Sequence, residues 1–263
     1  MIKVAQESPS QLSDFIQCFM PRSWSITPYK YCDIGCHYCC TKAQGRSTPI
    51  LSANEAKRTL EQMVPAIERG ACIMLGGLAD AYPNAEKELG ITRVILESLI
   101  EIGNPFFIVS KSTVLLRDLD LLSAHSDIVG VTISLSIMNE KVAKKIEPLA
   151  PSPNKRLKLI HSLREAGVSV DVNILPWIPD LTETKEIIQA IPEDLKITLS
   201  PLAVGENRTG IKLAGRKYER DAINAAYMNE YRMLGHHKNT SWIAPSPPPQ
   251  ENNPYNRLPQ IQG

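Results

Sequence analysis

The sequence predicts an α/β protein, a partial (β/α)6 TIM-like barrel with a C-terminal helix and a proline-rich extended tail. Three observations predict it. Short apolar, β-rich runs alternate with helical periodicity from about residue 23 to 203, a pattern that implies parallel strands joined by helical crossovers. About six such units fit, too few for a complete eight-stranded barrel. The 263 residues suffice for one domain with an ample core, and their 43% apolar content is ordinary for a soluble globular chain. The expected organisation is an N-terminal segment (1–22), the barrel core (23–204), a C-terminal helical extension (205–243) and the tail (244–263).

Each element has a local reason. Trp24-Ser25-Ile26-Thr27 is extended and leads through Pro28 into a cysteine-rich loop. Ser52-Ala53-Asn54-Glu55 is a capping box, with Ser52 as N-cap and Glu55 at N3, opening a helix that runs to about residue 68. Residues 71–75 are wholly apolar and form a short strand ending in Gly76-Gly77. A helix over 85–102 gathers Ile91, Val94, Ile95 and Leu99 on one face and stops at Gly103. Strands are expected at 106–109, 128–135, 168–175 and 195–199, and helices at 115–124, 139–146, 154–166, 182–190 and 216–234. The run Ala244-Pro245-Ser246-Pro247-Pro248-Pro249 fits neither a regular helix nor a central strand, so the tail reads as extended.

The cysteine loop carries the chemistry. Cys32, Cys36 and Cys39 have the spacing C-x3-C-x2-C, which sets three thiolates on one short segment. Three thiolates can hold three irons of a [4Fe–4S] cluster and leave the fourth open to a non-protein ligand, unlike the closed four-cysteine arrangement of electron-transfer clusters. Structural zinc needs four Cys/His ligands, commonly in two separated pairs. Here Cys72 is the only cysteine after Cys40, adjacent Cys39 and Cys40 cannot readily share one ion, and no histidine pair has zinc spacing. A disulfide framework is disfavoured too, because the six cysteines show no repeated spacing and no apolar signal sequence precedes them.

Charge and hydropathy narrow the classes further. No apolar run approaches a membrane-spanning length, and a reducing cytoplasm is the expected location, one in which an oxygen-sensitive cluster survives. A net charge of +1 lacks the footprint of a dedicated nucleic-acid binder. Basic clusters from Lys141 to Lys158 and from Arg208 to Arg220 read as solvated faces.

Several motifs in order resemble the spore photoproduct lyase-like branch of the radical S-adenosylmethionine (radical SAM) enzymes. The cysteine loop does so with Tyr38 just before its third cysteine. Ser25-Ile26-Thr27-Pro28-Tyr29 is similar to that branch's N-P-Y-R-G lead-in, and Asp80 to Glu86 with Thr92-Arg93 to its D-P-Y-Q-P-x-E…T-R segment. Ser110-Lys111-Ser112 with Arg117-Asp118 resembles T-K-S…R-D; Ser134-Leu135-Ser136, Glu147 to Pro151 and Arg156-Leu157 resemble S-I-S…E-P-x-x-P…R-L. Pro176-Trp177-Ile178-Pro179 matches a P-x-I-P turn. One departure is important: where the lyase has a hydrogen-donating cysteine, this chain has Gly77, which argues against thymine-dimer repair by that mechanism. Cys72, five residues earlier, is expected to be a buried core thiol.

The resemblance implies a [4Fe–4S] cluster on Cys32, Cys36 and Cys39, and S-adenosylmethionine (SAM) on its open iron. It implies reductive SAM cleavage to a 5′-deoxyadenosyl radical that takes hydrogen from a substrate. Tyr38, Gly76, Gly77, Asp80, Lys111, Ser134, Asn173 and Trp177 are the candidate cofactor-binding residues, with Lys111 the partner for the SAM carboxylate. Glu147 and Arg156 are read as a structural ion pair. Cys40 and Tyr82 are the catalytic candidates; Cys40 reads as a hydrogen donor or a spare ligand, and its direction after Cys39 favours the non-ligating role. Expected partners are SAM, an electron donor such as flavodoxin or ferredoxin, and an unidentified substrate. The branch leans toward a nucleobase, nucleotide or nucleic acid. A small metabolite, a peptide, or a non-catalytic iron–sulfur/SAM-binding role are the alternatives, separated by whether 5′-deoxyadenosine forms.

Overall fold

A computed structural model gives the fold and describes residues 16–20, 23–39, 45–63, 71–204, 209–234, 237, 239–243 and 245. The chain opens with β1 (Ile16–Met20) and β2 (Ser23–Ile26), followed by α1 (Ala53–Met63) and β3 (Cys72–Leu75). Next come α2 (Glu86–Leu89), α3 (Ile91–Ile102), β4 (Phe106–Ser110), α4 (Leu119–Ala124) and β5 (Val129–Ser134). Then follow α5 (Glu140–Ile146), α6 (Pro153–Glu165), β6 (Ser169–Trp177), α7 (Thr184–Ala190) and β7 (Ile197–Pro201). The chain continues with β8 (Gly210–Leu213), β9 (Arg216–Glu219), α8 (Arg220–Leu234) and β10 (Thr240–Trp242).

Eight strands form one sheet in the order β1-β2-β3-β4-β5-β6-β7-β10. Only β1 runs antiparallel to its neighbour; every other pairing in this sheet is parallel. The result is the α/β partial barrel that the alternating pattern requires, extended at both edges. The six strands legible in the periodicity are β2 to β7. β1 and β10 add the edges, outside the span of alternating strand and helix patterns read from the sequence.

Strand alternation separates two faces of the sheet. Ile26, Leu75, Ile108, Val131 and Val170 stand in register and are buried, as do Ile73, Phe106 and Val129 one step below. Packed in the same core are Ile95, Leu96 and Leu99 of α3 and Leu159, Ile160 and Leu163 of α6. The opposite face is polar near the strand ends, where Ser134, Asn173 and Thr198 lie in register. That polar inner face is where a site can open, because helices seal the other one.

Four local expectations need correction. The helix expected over 85–102 is two helices, α2 and α3, broken at Gly90, whose φ of +64° ends one and starts the other. The helix expected over 115–124 begins as a 3-10 segment (Thr113–Asp118) capped by Ser112, whose side chain accepts from the Val114 N–H at 3.2 Å, before α4. Residues 216–219, expected as helix, form β9, which pairs with β8 across Ala214 and Gly215, both at positive φ (48° and 83°). Two such residues make a hairpin turn whose twist matches the strands. Cys72 is exposed rather than buried. It is the first residue of β3 and stands on the same face as Met74, so alternation turns it away from the Ile73 and Leu75 core.

The capping box forms as expected. The Ser52 N–H donates to Glu55 Oε2 at 2.8 Å and the Glu55 N–H to Ser52 Oγ at 3.4 Å. Of the tail at 244–263, all but Pro245 lies outside the described residues. Among the described residues, no helix is long and apolar enough to cross a membrane.

Candidate active site at the strand ends

The cysteine loop is strapped to the segment that follows α5. His37 donates its N–H to the Ile146 carbonyl at 2.9 Å, and Leu149 returns one to Ile34 at 3.2 Å. The Cys39 N–H closes a turn onto the Cys36 carbonyl at 3.1 Å. On the other side, Asp33 accepts the Asn84 N–H at 3.1 Å and donates its own N–H to Ser47 Oγ at 3.2 Å. The loop is therefore held from both flanks by its backbone and by Asp33.

Cys32, Cys36 and Cys39 line one wall of a cavity of about 320 Å³ at the C-terminal ends of the strands. Gly76, Gly77 and Asp80 after β3, Lys111 after β4, Ser134 on β5 and Asn173 on β6 line the rest, joined by Ser200 and Ala203 at the end of β7. Among the described residues, no three His, Cys, Asp or Glu side chains converge on a single ion. Ligands to three separate irons of one cluster stand farther apart than ligands to one ion. Burial pushes the Cys32 thiol up to about 12, with the nearby Asp80 carboxylate adding to the effect. Burial also raises Cys36, while the Lys111 ammonium pulls the other way. Iron would therefore have to displace a proton from each of these thiols, as metal binding to cysteine generally does.

The glycines form a cradle. Gly76 has φ +94°, and a Cβ there would stand 2.8 Å from the Val109 carbonyl oxygen and 3.0 Å from Ala81. A Cβ on Gly77 would run into the Met74 side chain. Asp80 is an organiser of this wall. Its carboxylate accepts from Ser110 Oγ at 2.7 Å and from the N–H groups of Lys111 (2.8 Å) and Tyr82 (2.9 Å). Strand ends β3 and β4 are thereby tied together under the cavity.

Beneath the cysteine loop lies a buried ionic relay. Arg156 and Glu147 are both fully buried and paired. Arg156 also donates to the Ser134 carbonyl at 2.9 Å and the Pro151 carbonyl at 3.0 Å. The other Glu147 oxygen accepts the Tyr38 hydroxyl. Burial acts to raise Glu147, but the Arg156 and Lys111 cations outweigh it and hold the carboxyl below its usual range. Lys111 lies 5.8 Å from the centre of the Tyr38 ring. Burial acts to lower Lys111, but its neighbours Cys36 and Glu147 outweigh it and raise it above the ordinary lysine value. A cation thus faces the cavity beside the cysteines.

Asn173 completes the picture: its Oδ1 is buried and has no partner within the protein. An unpaired buried carbonyl is costly unless a ligand donor meets it. Two sequence candidates stand elsewhere. Trp177 does not line the cavity; its indole N–H donates to Thr184 Oγ1 at 3.0 Å and its ring meets Tyr227 edge-on at 5.6 Å. Tyr82 is fully buried and donates to Asp118 Oδ2 at 3.0 Å, with its hydroxyl raised by burial and by that carboxylate. It lines a neighbouring cavity of about 200 Å³ instead. Cys40 lies outside the described residues. Ser200 and Ala203 escaped the sequence reading. The signal available for Ser200 was its strand-end position on β7, matching that of Ser134 on β5.

Comparison with known proteins agrees with this geometry. The family model described as the Radical SAM superfamily matches residues 26–191. An uncharacterized protein of the Acidianus two-tailed virus is 32% identical over 135 residues, covering 51% of this chain and 43% of the viral protein. The chain spans about half the length of the curated relatives it matches first. Among solved structures, Streptococcus suis SuiB bound to S-adenosylmethionine is similar with a TM-score of 0.63 and 15% identity, over 88% of this chain and 51% of SuiB. A spore photoproduct lyase mutant solved with S-adenosylmethionine and a dinucleoside spore photoproduct gives 0.59 and 14%, over 83% of this chain and 75% of the lyase. With three cysteines, a glycine cradle and a buried cation gathered at the strand ends, and the family match spanning the barrel, the chain belongs to the radical SAM superfamily, whose cofactors are a [4Fe–4S] cluster and S-adenosylmethionine.

Proposed function

We propose that this chain is a radical SAM enzyme that abstracts hydrogen from a nucleobase, nucleotide or nucleic acid. The observation that carries the enzymatic reading is one cavity lined by Cys32, Cys36, Cys39, Gly76, Lys111 and the unpartnered Asn173. The substrate lean rests on the lyase-like motifs in sequence. The bound cluster and SAM together supply one-electron cleavage of a C–S bond and a carbon radical able to take hydrogen.

The chain's own residues do the rest. Cys32, Cys36 and Cys39 hold the irons. Lys111 meets the SAM carboxylate as a point charge. The Gly76-Gly77 turn, with no side chains, lets the backbone approach the methionine amino group. Ser134 and Asn173 Oδ1 meet hydroxyl or amino donors of the same ligand. Asp80 holds the Gly76–Lys111 wall in place, and the Arg156–Glu147–Tyr38 relay fixes the cysteine loop from below. Gly77 at the hydrogen-donor position leaves Cys40 as the proposed thiol donor and Tyr82, bonded to Asp118, in a supporting role.

The test is anaerobic reconstitution with iron, sulfide, SAM and dithionite, followed by mass spectrometry for 5′-deoxyadenosine. The wild-type chain is expected to form it, Cys36→Ala to lose both cluster and product, and Cys40→Ala to keep the cluster. Full iron loading without 5′-deoxyadenosine above the Cys36→Ala control would overturn the enzymatic reading in favour of a binding protein.

A further inference from the structure

Among the described residues, a second concavity larger than the cysteine-lined cavity stands apart from it. A cleft of about 700 Å³ lies between α5 and the first turn of α6, with Lys141, Lys144 and Lys145 on one wall and Lys155 on the other. Its exposed acid is Glu140, which accepts a hydrogen bond from Asn154 at 2.8 Å. Glu147 also borders the cleft but is neutralised by Arg156. Lys144 is turned by a 2.7 Å bond to the Pro148 carbonyl, which positions its charge without cancelling it.

One further cavity lies between this cleft and the cysteine-lined site. Ala150, Pro151 and Lys155 line both the cleft and the 200 Å³ cavity beside it, to which Lys87 contributes another cation. Ile34 of the cysteine loop then lines both that cavity and the cluster cavity. The lysine-lined groove, the cavity bordered by Leu149 (61% exposed) and the cysteine-lined cavity are therefore neighbours that share walls. In a chain with net charge +1, this concentration of positive charge is local rather than general.

We propose that this groove binds the phosphate backbone of a single-stranded nucleic acid and leads one of its nucleotides toward the cluster cavity. A phosphodiester strand carries one negative charge per nucleotide along one edge and a base on the other. Lysines can hold the first while the second turns inward. A concave path with cations on both walls suits a single strand better than the convex side of a duplex. The groove offers lysines as point charges, and Arg156, which also lines it, is buried and engaged by Glu147 and the Ser134 and Pro151 carbonyls, so recognition is of the backbone and tolerant of sequence. This inference rests on the proposed nucleic-acid substrate and assigns where it binds.

The test is fluorescence anisotropy with a labelled thymidylate strand of about 20 nucleotides and the full-length chain. With about four phosphates neutralised, the log–log salt slope is about −2.8, so affinity falls about fifty-fold between about 50 and 200 mM salt. The triple variant Lys141→Gln, Lys145→Gln, Lys155→Gln is expected to flatten that slope by about 2. A matched triple at Lys57, Lys185 and Lys212, exposed on other elements, leaves it in place, and circular dichroism verifies folding of both. Absence of saturable binding at low salt overturns the proposal, as does a slope unchanged by the groove triple. Equal displacement by polyglutamate at matched charge overturns it in favour of an acidic protein partner. Binding is read without turnover, so failure here and failure of 5′-deoxyadenosine formation are told apart.

Discussion

The Glu147 carboxylate shows what one buried charge does in this molecule. Its two oxygens hold Arg156 and the Tyr38 hydroxyl, and Arg156 in turn holds the carbonyls of Ser134 and Pro151. Glu147→Gln is expected to leave Arg156 buried without its counter-charge and to cost about 3–5 kcal/mol in urea unfolding. The pH dependence follows from the same pair. The folded pKa of Glu147 is depressed, so its contribution to stability is complete above the unfolded value of about 4.3 and disappears as pH falls through the lower folded value. Thermal melts from neutral to acid pH should show a loss on acidification that is absent in Glu147→Gln. The sequence showed these two residues as an ion pair, but the third member, Tyr38, is 109 residues from Glu147 and its hydroxyl could not be assigned to it from spacing.

Among the elements, the break between α2 and α3 is a backbone event alone. Gly90 has φ +64°, and a Cβ built on it meets nothing within 4 Å. Gly90→Ala should therefore cost about 1–2 kcal/mol through the left-handed conformation only, with cluster content unchanged by iron assay. The contrast with Gly76 is instructive, because there the added atom would also meet the Val109 carbonyl. Periodicity made α1, α3, α6 and strands β2 to β7 legible, since each buries one face against the core. It does not by itself reveal Gly90 as a break, because the apolar pattern of 91–99 is helical on its own; the glycine was the available signal, of the same kind as Gly103. Nor could it show β9, whose Arg216-Lys217-Tyr218-Glu219 is polar apart from Tyr218 and is extended by its hairpin partner rather than by its own preference. Lys111 and Asn173 were legible as strand-end polar residues. That Trp177 and Tyr82 turn toward Thr184 and Asp118 depends on side-chain direction, which spacing leaves open.

Across the whole molecule, the last third of the chain completes the first. Tyr38 and, from the far end, Leu202, Leu213, Tyr218 and Ile223 belong to one apolar cluster, against which Cys36 packs. Tyr227 of α8 donates to the Leu199 carbonyl at 2.8 Å and meets Trp177 edge-on and Trp242 at a tilt. A chain ending at residue 204 would expose the Tyr38 and Leu202 surfaces, and it should bind less than half the iron of the full chain after reconstitution, with a lowered melting temperature. β10 has a further consequence, in the timing of synthesis. The edge of β7 finds its parallel partner only when residues 240–242 have been made, so until then a nascent chain carries an unpaired strand edge. Open edges of this kind pair readily with other chains. Arrival of residues 240–242, rather than completion of β2 to β7, is thus the moment at which that edge is closed to its neighbours.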